Sequence, residues 1–315
     1  MSLQPAPTQP MLSHDGHGLA VAALLFGAGL WGCFWYPLRA LEAAGLPGLW
    51  AVACIYLGAT LVGLVAARHH LGWLRQAPLQ VAGIALTSGL SGTAFSLGMI
   101  HGEVARVMLF FYLSPVWSVL LARLFLGEHL TAPAVTALLL ALGGAGVMLW
   151  PGQAALQILP ADLLGLVAGM AFAATNTQVR HAQWLPLRIK TLAAWAGAPF
   201  LAAGSAGALG MALVPDPRII ALALLLGMVM MTAMTVTVQI GVTRLPVRQS
   251  SVILVFELVA GALSAAWLAG EHMGLQEWLG GALIVAGALV AGRRASPGGA
   301  PVKTPRRRDH RAQSR

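Results

Sequence analysis

The sequence predicts an all-α membrane protein: ten transmembrane helices arranged as two inverted five-helix repeats, with both termini cytoplasmic. Three observations carry that reading. The chain is 58% hydrophobic and only 9% charged, whereas soluble proteins carry about 25% charged residues to cover their surface. Its apolar runs divide into ten stretches, each long enough to cross about 30 Å of hydrocarbon as helix. One short pattern also occurs twice: Gly127-Glu128-His129 and Gly270-Glu271-His272 each close an apolar run, 143 residues apart.

The ten stretches fall near 18–38, 47–67, 78–100, 103–126, 131–150, 161–179, 189–213, 218–241, 246–269 and 275–292. They are continuously apolar and lack the alternation of barrel strands, so helices are the expected spans. A second landmark supports duplication: Trp31-Gly32 followed by Arg39 is echoed by Phe172-Ala173 followed by Arg180, at an offset of 141. Five stretches precede the segment 151–160 and five follow it. An odd count per unit turns the second copy upside down in the bilayer, an arrangement that many secondary transporters share. The expected organisation is a disordered polar tail over 1–17, a first repeat over 18–150, a connecting segment over 151–160, a second repeat over 161–292 and a basic disordered tail over 293–315.

Orientation follows from the basic residues. With both ends cytoplasmic, 16 of the 19 Lys and Arg fall inside, and only Arg39, Arg106 and Arg218 fall outside. Leaving out the tail, the split is still 8 against 3, as the positive-inside rule requires. The first basic residue is Arg39, so a cleavable signal peptide with a basic start is not expected. The net charge of +9 belongs to the tail: without 293–315 there remain 11 basic and 9 acidic residues. Such a tail beside a last membrane helix suits anionic lipid better than nucleic acid. Cys33 and Cys54 lie in spans and read as apolar filler.

Several chemistries find no footing in the sequence. It has no phosphate-binding G-x-x-x-x-G-K-[ST] loop, no H-E-x-x-H and no G-x-S-x-G elbow. The Glu-His pairs at 128–129 and 271–272 have no nearby third ligand, so neither a metal nor a cofactor is expected. Glycines recur at close-packing spacings, as in Gly165 with Gly169.

Two ordered copies of an aromatic-Gly and Gly-Glu pattern resemble the drug/metabolite transporter superfamily, and most of all its ten-helix EamA-type exporters. In the first half the resemblance is carried by Leu30-Trp31-Gly32, Arg39, Pro115 and Leu126-Gly127-Glu128. In the second it is carried by Phe172-Ala173, Arg180, Glu257, Ala269-Gly270-Glu271 and Gly280-Gly281-Ala282. The family usually has Glu-Pro in the fourth helix of its second repeat; here the pair is Glu257-Leu258, and only the first copy keeps a proline, Ser114-Pro115. A local break is therefore expected at Pro115 and not at Leu258. The first helix and the Leu97-Gly98…His101-Gly102…Val104 stretch are similar to the aromatic amino acid exporters.

The resemblance implies a substrate path at mid-depth, lined by the first, third and fourth helices of each half. On those helices the expected substrate-binding residues are Trp31, Trp35, Tyr36, Ser88, Ser91, Thr93, Tyr112, Asn176, Gln178, Met234, Thr235 and Gln239. Trp31 and Trp35 are spaced i, i+4 and share a helix face, as do Thr235 and Gln239. Glu257 lies mid-span, where an ionised carboxylate is costly and a protonated one less so. It reads either as a coupling or substrate-amine group, or as an acid fastening neighbouring helices. Glu128 and Glu271 read as caps for the amides of the following helix, and Arg39 and Arg180 as snorkelling side chains at helix ends.

A cavity with aromatics, hydroxyls, amides and thioethers but at most one charge excludes polyanions and suits zwitterions or neutral amphipathic solutes. The expected function is secondary export of amino acids, aromatic or other neutral ones, and related metabolites across the bacterial inner membrane by alternating access. The alternatives are a proton-coupled exporter of amphipathic or cationic drugs and a flippase for a lipid-linked sugar. An intramembrane enzyme would need a partner for Glu257, and His101 is poorly matched in depth. In the resembled family, the fifth helix of each repeat can mediate homo-oligomerisation.

Overall fold

The computed structural model describes residues 14–126, 132–148, 158–212, 216–245 and 247–293, and among them every regular element is helical. Gly127-Glu128-His129, residues 1–13, 149–157 and the basic tail from 294 onward lie outside the described residues. The first half contains α1 (His14–Gly32), α2 (Trp35–Ala43), α3 (Gly48–Ala67), α4 (Trp73–Gln76), α5 (Pro78–His101), α6 (Val104–Phe111), α7 (Ser114–Leu126) and α8 (Ala132–Met148). The second half contains α9 (Pro160–His181), α10 (Leu187–Ala208), α11 (Pro217–Leu226), α12 (Thr232–Arg244), α13 (Val247–Leu254), α14 (Phe256–Ser264) and α15 (Leu275–Arg293). Helices occupy all ten apolar stretches. The first begins at His14, four residues ahead of the expected span, so part of the expected polar tail is helical.

Among the described residues, five helical stretches are both long and apolar enough to cross a membrane: His17–Ala43, Gly48–His70, Pro78–His101, Val104–Leu121 and Pro217–Arg244. Their composition and their exposed Leu, Phe and Val side chains mark a multi-pass membrane protein, since such surfaces are stable against lipid and not against water.

Where the long helices break, the sequence shows the cause in two cases of three. Pro37 has no N–H and its ring clashes with the carbonyl four residues back, so α1 and α2 are separated at Cys33–Phe34. Pro115 ends α6 at Phe111 in the same way, as expected. The third break, at Val255 between α13 and α14, has no proline and corrects the expectation of an unbroken helix at Leu258. It sits where α1 presses closest: a β-carbon on Gly32 would lie 2.4 Å from the Glu257 carbonyl oxygen.

The extensive helix pairings join the two halves of the chain. α5 packs on α9 and α10, α3 on α10 and α11, α1 on α12 and α14, α6 and α7 on α9, and α8 on α15. Small residues permit these approaches. At the α5–α10 crossing, a β-carbon on Gly197 would fall 1.7 Å from the Ala85 carbonyl oxygen. Gly165 and Gly169 let α9 lie against the carbonyls of Val107 and Phe111, the close packing that lipid-embedded helices rely on.

Candidate functional site

A cavity of about 460 Å³ lies between the halves. α5 turns Ser88, Ser91, Gly92 and Phe95 into it, and α9 turns Phe172, Thr175, Asn176 and Val179, each set at i, i+3, i+4, i+7 on one helix face. Trp31 from α1, Phe111, Tyr112 and Ser114 around the α6–α7 break, and Thr235 and Gln239 from α12 complete much of the wall. Leu254 and Glu257 flank the Val255 break, so the interruption of α13–α14 is where the carboxylate enters the cavity. Met231 ends a π-helical turn, Gly227–Met231, and also lines it; such turns recur at functional sites.

The wall is aromatic. Phe95 and Phe111 have ring centroids 4.9 Å apart, and Phe111 and Phe172 5.2 Å apart. Among the described residues, four of its eight hydroxyls are committed. Ser91 donates to the Ala168 carbonyl at 3.0 Å, Thr175 to its own helix at Ala171, Thr235 to Met231 at 2.9 Å, and Tyr112 to Leu254 at 3.2 Å. The Tyr112 hydroxyl also interacts with Glu257. These bonds position the side chains while leaving oxygen lone pairs free to accept from a ligand.

Seven of the twelve expected substrate-binding residues therefore line this cavity together with Glu257: Trp31, Ser88, Ser91, Tyr112, Asn176, Thr235 and Gln239. The other five lie elsewhere. Trp35 follows the break at Cys33–Phe34, which cancels its i, i+4 relation to Trp31; it is buried and donates its indole N–H to Ser264 at 2.9 Å. Tyr36 is exposed and stands edge-on to Trp35. Thr93 is buried on the far side of α5 from the lining face, its hydroxyl unpartnered. Gln178 is rotated off the lining face of α9, donates to Thr87 at 3.1 Å and borders a second cavity beside α5 and α7. Met234 is fully buried in the core against α3.

Sequence reasoning missed the second helix of each half. Tyr56 of α3 and Leu187, Lys190, Thr191, Ala194 and Trp195 of α10 also form the wall. Tyr56 and Trp195 carry no sequence signal beyond being aromatics within apolar runs. Lys190 read as a charge in an inside loop, although a lysine in the first turn of a helix opposes the helix dipole and so carries a signal. The cavity thus holds two charged residues, not one.

At one end of the molecule, around the α5–α6 turn, the charges are satisfied across the halves. Arg39 donates to Glu271 at 2.9 Å and to the Met99 carbonyl at 2.9 Å, also reaches the Gly102 carbonyl, and lies 4.9 Å from the centre of the Trp35 ring. Arg39 is therefore anchored and does not snorkel. The other Glu271 oxygen accepts from the Val104 N–H at 2.8 Å, so this acid caps α6, not the helix that follows it. Gly270 makes that possible: its φ of 67°, which side chains disfavour, turns the chain at the end of Ala265–Ala269 and aims Glu271 inward. Arg106 forks onto Asp162 at 2.7 and 2.8 Å, and Asp162 also accepts from the Leu159 N–H at the start of α9. His101 lies beside Glu42 at 3.9 Å, at this same end and not at Glu257.

A membrane protein whose halves enclose an aromatic, sparsely charged cavity is built to hold a small solute between them. Residues 159–293 match the EamA-like transporter family. Over 299 residues the chain is 29% identical to the probable terminal-alkyne amino-acid exporter of Streptantibioticus cattleyicolor, covering 92% of this chain and 98% of that one. A solved crystal structure of a protein aligns at 21% identity with a TM-score of 0.55, covering 89% of this chain and 97% of the other; that likeness speaks for the fold. The matches bear out the resemblance to EamA-type transporters carried by the paired motifs, and they indicate a transporter rather than an enzyme.

Proposed function

We propose that this protein exports neutral amino acids, aromatic ones among them, and related small metabolites across the bacterial inner membrane by alternating access. The observation that carries the reading is the cavity between the halves, aromatic-walled and spotted with Asn176, Gln239 and Glu257, in a chain similar along most of its length to an amino-acid exporter. All ten helical stretches span the bilayer in this reading, as two inverted repeats with both ends cytoplasmic. The pairing pattern supports it. Exchanging each helix for its counterpart in the other half turns α5–α9 into α12–α1 and leaves α3–α10 and α8–α15 as they are, the reciprocity that a two-fold related duplication produces.

The two halves rock about the cavity, opening it to either side in turn. Residues 293–315 rest on anionic lipid, and the peripheral pair α8 and α15 offers a surface for self-association. Export of amphipathic cations is the second reading, favoured by Glu257 and opposed by Lys190 in the same wall.

Efflux from proteoliposomes loaded with labelled Trp, Phe or Met, with and without a pH gradient, tests the proposal. Wild-type efflux of these amino acids is expected. Loss of gradient-driven efflux in Glu257→Gln with binding intact makes Glu257 the coupling acid, whereas efflux that survives the substitution and ignores pH makes the protein a facilitator. A wild type that moves no amino acid sinks the reading.

A further inference from the structure

We propose that Lys190 anchors the substrate carboxylate while Glu257 faces its amine, so that the cavity selects α-amino acid zwitterions; this rests on the exporter reading and narrows its substrate class.

Lys190 stands in the first turn of α10, which begins at Leu187. A cation there is opposed by the partial positive charge of the helix start, so local structure gives no reason for it. It is the only lysine among the described residues. Its side chain is half-buried and lines the cavity, yet no described residue forms an ion pair or hydrogen bond with it. Arg39 and Arg106, by contrast, each hold a carboxylate of the opposite half. A half-buried ammonium with no anion is costly, and a bound carboxylate removes that cost by accepting from it.

The surroundings fit a carboxylate. Asn176 and Thr191 line the wall with Lys190, and the Asn176 amide, which has N–H groups to donate, makes no hydrogen bond among the described residues. Glu257, carried by α14, lines the same cavity. It likewise has no cationic partner among the described residues. An acid alone would favour amines and a base alone would favour acids. Together in a cavity of about 460 Å³, within the range of small-molecule sites, about 300–1,000 Å³, they favour a molecule carrying both charges. The aromatic wall receives its side chain.

The test compares phenylalanine with phenethylamine, which lacks only the carboxylate, in proteoliposome efflux and in calorimetric binding to the purified full chain. Wild type should prefer phenylalanine. Lys190→Gln should weaken phenylalanine by roughly 10-fold or more, the scale of a charged hydrogen bond, while leaving phenethylamine unchanged or improved. Lys190→Arg should keep the preference. An unchanged preference in Lys190→Gln, or equal loss of both ligands, overturns the role of Lys190 and leaves the exporter reading standing. A wild type that neither binds nor moves phenylalanine or methionine overturns that reading and the zwitterion site with it.

Discussion

Two regions of this molecule handle charge in opposite ways. Around the α5–α6 turn, Arg39 meets Glu271 and Arg106 meets Asp162, each pair joining one half to the other, with backbone groups filling the remaining bonds. In the cavity, Glu257 and Lys190 line the wall with no opposite charge from the described residues, Glu257 meeting only the neutral Tyr112 hydroxyl. Satisfied charges hold a structure together; unsatisfied ones in a cavity stay costly until a ligand arrives. The difference separates residues that build the protein from residues that serve its cargo.

Removing one member of a buried pair gives the largest effect. Asp162, with its side chain 2% exposed, takes both forks of Arg106, and changing it to Ala removes that ion pair. We expect a loss of about 3–5 kcal/mol, read as a much lower melting temperature in detergent. Gly197→Ala comes next, because its new methyl meets the Ala85 carbonyl at 1.7 Å. Overpacking of that kind costs about 1–3 kcal/mol, and a melting curve equal to wild type would show that the α5–α10 crossing is loose. Glu271→Gln keeps an acceptor for the Val104 N–H and loses only the charge, and the pair is partly exposed, at 26% and 14%. A loss of about 1 kcal/mol is expected, shrinking further in high salt. Trp35→Phe removes one hydrogen bond to Ser264 and should cost about 0.5–1.5 kcal/mol with efflux retained, since Trp35 lies outside the cavity.

Long-range pairing marks the limit of what the sequence discloses. The apolar runs place the helices, because length and continuity of hydrophobicity are local properties. The Gly-Glu motif is visible as a repeat, but its partners are not: Arg39 is 232 residues from Glu271, and nothing local links them. A proline announces the break at Phe111. The break at Val255 has no proline and lies two residues before Glu257, which Gly32 of α1 approaches closely, a long-range contact that local sequence does not show. One unanticipated break also explains the misplacement of Trp35, since helical spacing holds only while the helix continues. Thr235 and Gln239, on the uninterrupted α12, share the cavity face that their spacing implied. Lys190 went unread because a basic residue near a span end has a ready explanation in topology.

The most direct test of this contrast measures melting temperature and amino-acid efflux together for Glu257→Gln and Asp162→Asn. The account predicts that Glu257→Gln melts close to wild type, its efflux deciding between a coupled exporter and a facilitator, while Asp162→Asn melts far lower. A Glu257→Gln protein destabilised as strongly as Asp162→Asn would contradict it.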